Sequence, residues 1–155
     1  MKGDRLKASV LAVRLIPNVD DGMAKELKLP EGHRSIGVLT SDCDDVTYTA
    51  LDDATKKAVV EVVYGKSFYG GAANANTKLA GEVIGILSGP TPAEVRSGLN
   101  AAVDFIENEA SFISANDDDS IAYYAHCISR TGSYLSKTAG IPEGESIAYL
   151  IAPPL

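Results

Sequence analysis

The chain has 155 residues and a formal net charge of −7 at pH 7, with 14 Lys and Arg against 21 Asp and Glu. This balance argues against a nucleic-acid surface, which needs clustered Lys and Arg. Hydrophobic residues make up 45% of the chain, enough for a core, but no run reaches the roughly 18 apolar residues of a membrane span. The start has no signal-peptide pattern, and two lone cysteines fit a reducing compartment. We therefore expect an intracellular protein with no nucleic-acid or membrane partner.

The apolar pattern predicts alternating strands and helices. It predicts strands at 9–16, 35–40, 59–64 and 82–87, and helices at 20–29, 44–58 and 91–107. The last helix has the clearest start, with Thr91 as N-cap, Pro92 in the first position and Glu94 completing a capping box. Such alternation predicts an α/β or α+β fold, a sheet of about three or four strands with helices packed on it.

An internal repeat divides the chain. The stretch LPEGHRSIGVLT at 29–40 returns as IPEGESIAYLI at 141–151, one residue shorter and offset by about 112 residues. A strand pattern precedes each copy, SVLAVRLI in the first and SIAYYAHCI in the second, and a partly helical stretch follows each strand. The repeat predicts a first domain over 1–110 and the start of a second over 111–155. We expect the second domain to be truncated here, with its remainder in a longer chain, a clipped segment or a neighbouring subunit.

The acidic stretch TSDCDDVTYTALDD is the main candidate for chemistry. It fails as a calcium loop, because Thr47 stands where the loop requires glycine after Asp42 and Asp44. It is a poor zinc site, because Cys43 has no second Cys or His at ligand spacing. Two interpretations remain open. The acids could form the first turn of a helix capped by Ser41 or Asp42, or a cation or polyol could bind beside that turn.

Other polar residues do not assemble an active site. The glycine-rich loop at 65–78 lacks a phosphate-binding motif, and predicts either a flexible connection or a mobile gate. His33 and His126 are far apart in the sequence, and Cys127 within an apolar strand predicts a core position. The run Asp117-Asp118-Asp119 is typical of a solvated turn. We expect no catalytic residues, no metal site and no cofactor.

Two long stretches resemble the bacterial microcompartment shell domain. SIGVLTSDCDDVTYTALDDATKKAVVEVV is similar to its first strand, helix and second strand, and GEVIGILSGPTPAEVRSGLNAAVDFIEN to its last strand and amphipathic helix. Residues 9–30 have no counterpart at that point of the simple domain, which suggests a circular permutation. A tandem, permuted pair of such domains is typical of one kind of shell protein from the ethanolamine-utilisation microcompartment. Further stretches, among them VEVVYGKSFYGGAAN and SRTGSYLSKTAGI, extend that resemblance over nearly the whole chain.

The resemblance implies a non-enzymatic, structural protein of the ethanolamine-utilisation microcompartment shell. It implies a homotrimer shaped as a pseudohexameric tile, packed beside other shell proteins, with a gated central pore for metabolites or cofactors. It also implies small channels that bind ethanolamine, and cobalamin is a further candidate ligand. Carried over position by position, the ethanolamine contacts fall on Asp44, Asp45, Glu82 and Phe112. The pore loop falls on Ser67, Phe68, Tyr69, Gly70, Gly71, Ala72 and Ala73.

Two other classes of function compete with the shell protein. The first is a small-molecule-binding regulatory domain, a sensor that uses the same acidic pocket. The second is a metal-assisted hydrolase built on Asp42, Asp44 and Asp45.

Overall fold

The computed structural model describes residues 1–68 and 81–152, which form two antiparallel sheets and four α-helices. The strands are β1 (Arg5–Leu6), β2 (Val10–Ile16), β3 (Ser35–Ser41), β4 (Glu61–Ser67), β5 (Val83–Gly89), β6 (Phe112–Ser114), β7 (Ala122–Ile128) and β8 (Ile147–Ile151). The helices are α1 (Asp21–Glu26), α2 (Asp44–Lys57), α3 (Pro92–Asp104) and α4 (Ser133–Ala139), and α3 runs on into a π-helical turn, Phe105–Glu109. The predicted mixed α/β fold is confirmed.

The first sheet has the strand order β2-β3-β5-β4. Helices α2 and α3 pack on it where two strands carry glycine. A Cβ on Gly37 of β3 would lie 2.7 Å from the Leu99 side chain of α3, and a Cβ on Gly85 of β5 would lie 2.7 Å from Leu51 of α2. Because real Cβ atoms do not approach so closely, these two glycines set the distance between helices and sheet.

The main core lies between this sheet and its helices. Leu39 and Leu87 on the central strands are buried, as are Val46 and Leu51 on α2 and Val95 on α3. The period of apolar residues in α2 and α3 predicted these faces, and apolar burial there is the main stabilising contribution.

The second sheet has the strand order β1-β6-β7-β8. Strands β1 and β6 are too short for an alternating pattern, so the sequence did not predict them. They pair through Arg5 with Ile113 and Leu6 with Phe112. The N-terminal strand thus completes a sheet whose other strands follow residue 110, and the predicted division at that residue stays a prediction.

The two sequence repeats form the same local structure. In each, a buried residue after the first strand donates its amide to a carbonyl beyond the Pro-Glu-Gly turn, Val19 to Arg34 at 2.8 Å and Thr131 to Glu145 at 3.0 Å. The glycines of the two turns, Gly32 and Gly144, have φ of 82° and 94°, the left-handed region that favours glycine. The two repeats also share a serine hydrogen bond: the Ser35 hydroxyl donates to the Pro17 carbonyl, and the Ser146 hydroxyl donates to the Ser129 carbonyl, both at 2.6 Å.

Several predicted boundaries need correction. The first helix ends at Glu26, not residue 29, because Lys28 turns into the left-handed region at φ 52°. Strand β4 runs on to Ser67, so the predicted loop at 65–78 begins later. Glu94 does not complete a capping box, because its Oε2 accepts the Val59 amide at 2.8 Å, while Thr91 caps as predicted. Cys127 is exposed, since β7 turns this residue away from the core.

Candidate functional site

The acidic turn lies where β3 ends and α2 begins. Cys43 is the N-cap of α2 and makes no side-chain capping bond, so the prediction of Ser41 or Asp42 as the cap is wrong. Those two residues hold the turn instead. Ser41 Oγ accepts the Cys43 amide at 3.1 Å, and Asp42 Oδ1 accepts the Ser9 amide at 2.7 Å. These two hydrogen bonds fix the turn that places Asp44 and Asp45 in the first turn of α2, where the helix dipole favours negative charge.

Asp44 and Asp45 form a half-buried pair of carboxylates. The Asp45 amide donates to Asp44 Oδ1 at 2.8 Å, and the Tyr149 hydroxyl donates to Asp45 Oδ1 at 3.0 Å. Burial raises the pKa of Asp45, and the negative charge of Asp44 adds to that rise. Burial, with Asp45 close by, also raises the pKa of Tyr149, which therefore stays protonated as the donor. The negative charge on Asp45 is therefore costly unless a cation compensates it.

An aromatic cluster lies behind the carboxylates. Tyr149 meets Tyr124 edge to face with ring centroids 5.8 Å apart, and Tyr124 stacks on Phe112 at 5.4 Å. The Tyr124 hydroxyl is bonded to Thr49 Oγ1 at 2.9 Å. Phe112 is only 5% exposed. The rings of Tyr124 and Tyr149 lie between Phe112 and Asp45, so Phe112 does not line the surface beside the carboxylates.

The remaining predicted residues gather at the same end of the first sheet. Val83, the first residue of β5, pairs with Ser41 of β3 on one side and with Ser67 of β4 on the other. Glu82 precedes Val83 and is exposed. Its carbonyl accepts the Phe68 amide at 2.8 Å, and Phe68 itself is exposed. The other predicted pore-loop residues lie outside the described residues: Tyr69, Gly70, Gly71, Ala72 and Ala73.

One face of α2 binds the second sheet and the start of α4 through polar side chains. Asp45, Thr49 and Asp52 are spaced by four and three residues, which places them on one helical face. Asp52 is 1% exposed, and its carboxylate accepts the amides of Gly132 and Leu135, each at 2.8 Å. Sequence reasoning missed these contacts. The spacing was visible, but it resembles the solvent face of an ordinary helix.

Metal-ligand clusters and membrane-spanning helices are both absent from residues 1–68 and 81–152. There, no group of three or more His, Cys, Asp or Glu could hold a metal ion. Burial raises the pKa of Cys43 to about 12, so its sulfur stays a thiol and is a poor ligand. Across the same residues no helix is both long and apolar enough to cross a bilayer.

Comparison with known proteins gives the family. The BMC domain model matches residues 35–117, more than half of the chain. The bacterial microcompartment shell protein EutL of Clostridium perfringens is 67% identical over 155 residues, which are all of this chain and 71% of that protein. The chain belongs to the EutL family of bacterial microcompartment shell proteins.

Further EutL proteins agree over nearly the whole chain. EutL of Salmonella typhimurium is 59% identical over 98% of this chain and 69% of its own length. The crystal structure of EutL from Leptotrichia buccalis superposes with a TM-score of 0.92 at 89% identity, covering 99% of this chain and 71% of that one. EutL proteins are structural components of the microcompartment shell, so this chain is a shell protein and not an enzyme. The predictions of a shell protein and of its location in the microcompartment are confirmed. The interpretation as a metal-assisted hydrolase is therefore wrong.

Proposed function

We propose that the chain forms a trimeric, pseudohexameric tile in the shell of an ethanolamine-utilisation microcompartment, beside other shell proteins. In this proposal a gated central pore passes metabolites or cofactors, and a separate small channel binds ethanolamine at Asp44 and Asp45. The L. buccalis relative, 89% identical, is described as an ethanolamine utilization protein, which supports the substrate class. Cobalamin is the cofactor to test at the pore.

The half-buried carboxylate pair carries the ethanolamine proposal. Ethanolamine is an ammonium group joined to an alcohol, and a cation beside Asp45 would offset the burial and repulsion that raise its pKa. Tyr149 already donates to Asp45 Oδ1. An ammonium group has three N–H donors. The remaining oxygens of Asp44 and Asp45, together with the Glu82 carboxylate at the same end of the sheet, offer enough acceptors for all three. Phe112 contributes from behind, by packing Tyr124 against Tyr149.

Coupling between this site and the pore rests on the start of the predicted pore loop. Strand β4 ends at Ser67, so Phe68 is the first residue of that loop beyond the strand, and its amide donates to the carbonyl of Glu82. A ligand that pulls the Glu82 carboxylate toward Asp44 and Asp45 would move the residue that holds the loop's first bond. If ethanolamine binds one loop state more tightly than the other, it shifts the population of open and closed pores. No further contact is needed for gating.

Calorimetric titration with ethanolamine tests the site. Asp45→Asn and Glu82→Gln should each weaken binding about tenfold, since a charge-assisted hydrogen bond contributes about 1.5–3 kcal/mol. Asp117→Asn is the matched control, because it removes an exposed carboxylate from another turn and should leave the affinity unchanged. Unchanged affinity in both site variants would exclude this assignment.

The pH dependence supplies a second readout. Ethanolamine needs the ionised carboxylate, so affinity should fall as pH is lowered through the raised pKa of Asp45, and this fall should vanish in Asp45→Asn. A raised pKa also means that ionisation of Asp45 destabilises the fold. That penalty is absent below the usual value of 3.8 and fully present above the raised one. Asp45→Asn should therefore melt at a higher temperature than the parent at neutral pH, with a smaller difference near pH 3.

The oligomeric state separates the shell tile from the regulatory alternative. Sedimentation of the protein should give a trimer, and electron microscopy should show flat arrays. A monomer or simple dimer with intact ethanolamine binding would favour a sensor that uses the same acidic pocket.

A further inference from the structure

A second polar cleft lies at the other end of α2. It has a volume of about 560 Å³ and is lined by Thr55, Lys56, Arg130, Thr131, Glu143 and Gly144. Its α2 residues follow Asp44 by about 12 positions, which places the cleft roughly 18 Å along the helix axis from the acidic turn. The volume is within the range of about 300–1,000 Å³ that small-molecule sites occupy. The ethanolamine proposal makes no use of it.

Two cationic side chains line this cleft. Lys56 Nζ donates to the Arg130 carbonyl at 3.1 Å and has a long ion-pair distance of 3.6 Å to Asp53 Oδ1. Arg130 is exposed, and its guanidinium forms no ion pair with any residue in the described part of the chain. The cleft therefore has a guanidinium fork, the group that matches carboxylate and phosphate geometry.

A buried hydroxyl without a partner lines the same cleft. Thr131 is 2% exposed, and its Oγ1 has no hydrogen-bond partner among the described residues. Leaving a buried hydroxyl unpaired destabilises the folded protein. The fold does not require a hydroxyl here, because the first repeat has Val19 at the equivalent place, also 2% exposed and with the same backbone bond. The second repeat thus keeps a costly donor at a position that valine fills in the first.

The balance of charge and of hydrogen-bond donors in the cleft lining indicates the class of ligand. Arg130, Lys56 and Thr131 supply N–H and O–H groups, whereas Glu143 is the one acid in the lining. We propose that this cleft binds a small oxyanion, a carboxylate or phosphate group, with Arg130 and Lys56 supplying positive charge and Thr131 a buried hydrogen bond. Glu143 opposes the anion and so limits its affinity.

Inorganic phosphate and acetate are the probes, each titrated into the chain and followed by calorimetry. Arg130→Gln should weaken binding about tenfold, as expected for loss of a charge-assisted bond, and Glu143→Gln should strengthen it. Arg96→Gln is the control, because it removes an exposed arginine on α3 outside the cleft and should change nothing. Affinity should fall with added salt. Tighter binding of phosphate assigns the cleft to phosphate-bearing molecules, and tighter binding of acetate to carboxylates.

Thr131→Val separates a ligand role from a structural one, because it introduces the residue of the first repeat. The variant should melt at a higher temperature than the parent without phosphate, since the unpaired hydroxyl is gone, and should lose most of the phosphate-induced rise in melting temperature. A lower melting temperature without phosphate would show a structural hydroxyl and overturn the proposal. The proposal would also be overturned if neither phosphate nor acetate bound, or if the parent, Arg130→Gln and Thr131→Val bound phosphate with equal affinity.

Discussion

Helix α1 of the first repeat and helix α4 of the second begin in different ways. In α1, Asp20 is the N-cap and its own Oδ1 accepts the Met23 amide at 2.7 Å. In α4 the equivalent N-cap is Gly132, which has no side chain to offer, and Asp52 of α2 accepts the Leu135 amide in its place. The first helix is capped by its own N-cap side chain, whereas the second depends on a side chain of α2. A buried carboxylate therefore fastens the second repeat to α2.

Strands β3 and β8 show a second difference between the repeats. Strand β3 lies between β2 and β5 and is almost wholly buried. Strand β8 pairs with β7 alone among the described strands, and Leu150 on it is 67% exposed. The two strands come from similar sequences. Their burial differs because neighbouring strands and helices, and not the strand's own residues, decide what is covered.

Removing the buried carboxylate should have the largest effect. Asp52→Ala leaves the amides of Gly132 and Leu135 without an acceptor in a buried place, so we expect a loss of about 2–4 kcal/mol in the free energy of unfolding. Asp20→Ala removes the equivalent cap of α1, which is exposed, and should cost only about 1 kcal/mol. Chemical denaturation of both variants measures the difference. Equal losses would show that the second repeat does not depend on α2.

Filling the space at the start of α4 should have the next largest effect. A Cβ on Gly132 would collide with Thr55 Oγ1 and lie 2.7 Å from the Asp52 carbonyl oxygen. Gly132→Ala should therefore destabilise the protein by about 1–3 kcal/mol, as overpacking does. Gly22→Ala, in the first turn of α1, is the control: its Cβ would lie 3.3 Å from Asp20 Oδ1, an exposed atom that has to move by only a few tenths of an ångström and so can keep its bond to the Met23 amide. That change should be neutral or stabilise the helix by up to about 1 kcal/mol. A neutral Gly132→Ala would mean that α4 is not held tightly against α2.

Most of the elements could be predicted, because long apolar patterns and caps depend on local sequence. The period in α2 and α3 located both helices, and the Pro-Glu-Gly repeat located β3 and β8. The contacts between the repeats could not be predicted. Asp45 and Tyr149 are 104 residues apart, and nothing local shows that they meet. For the same reason Phe112 was assigned beside the ligand without any sign that Tyr124 stacks on it.

The polar face of α2 shows why the site was only half visible. From the sequence, the spacing of Asp45, Thr49 and Asp52 predicts the solvent-exposed face of an ordinary helix. In the structure each is bonded to the second repeat or to the strands beside it, through Tyr149, Tyr124 and Gly132 respectively. One helix thus carries the proposed cation site at its start, the bonds to the second repeat at its middle and the proposed oxyanion cleft at its end. Its sequence therefore has to fit both the first sheet and the second repeat.

The C-terminal ends of α1 and α4 give the finest comparison and the smallest predicted effect. After each of these helices the backbone turns into the left-handed region, at the equivalent positions Lys28 (φ 52°) and Gly140 (φ 70°). A residue with a Cβ is strained there by about 1 kcal/mol, whereas glycine is not. Lys28→Gly should therefore raise the free energy of unfolding by about 0.5–1 kcal/mol, and Gly140→Ala should lower it by a similar amount. Thermal melts of the two single variants and the double variant should show nearly additive, opposite shifts, since the two positions belong to different repeats. A destabilised Lys28→Gly would mean that the lysine side chain, and not the backbone turn, sets the end of α1.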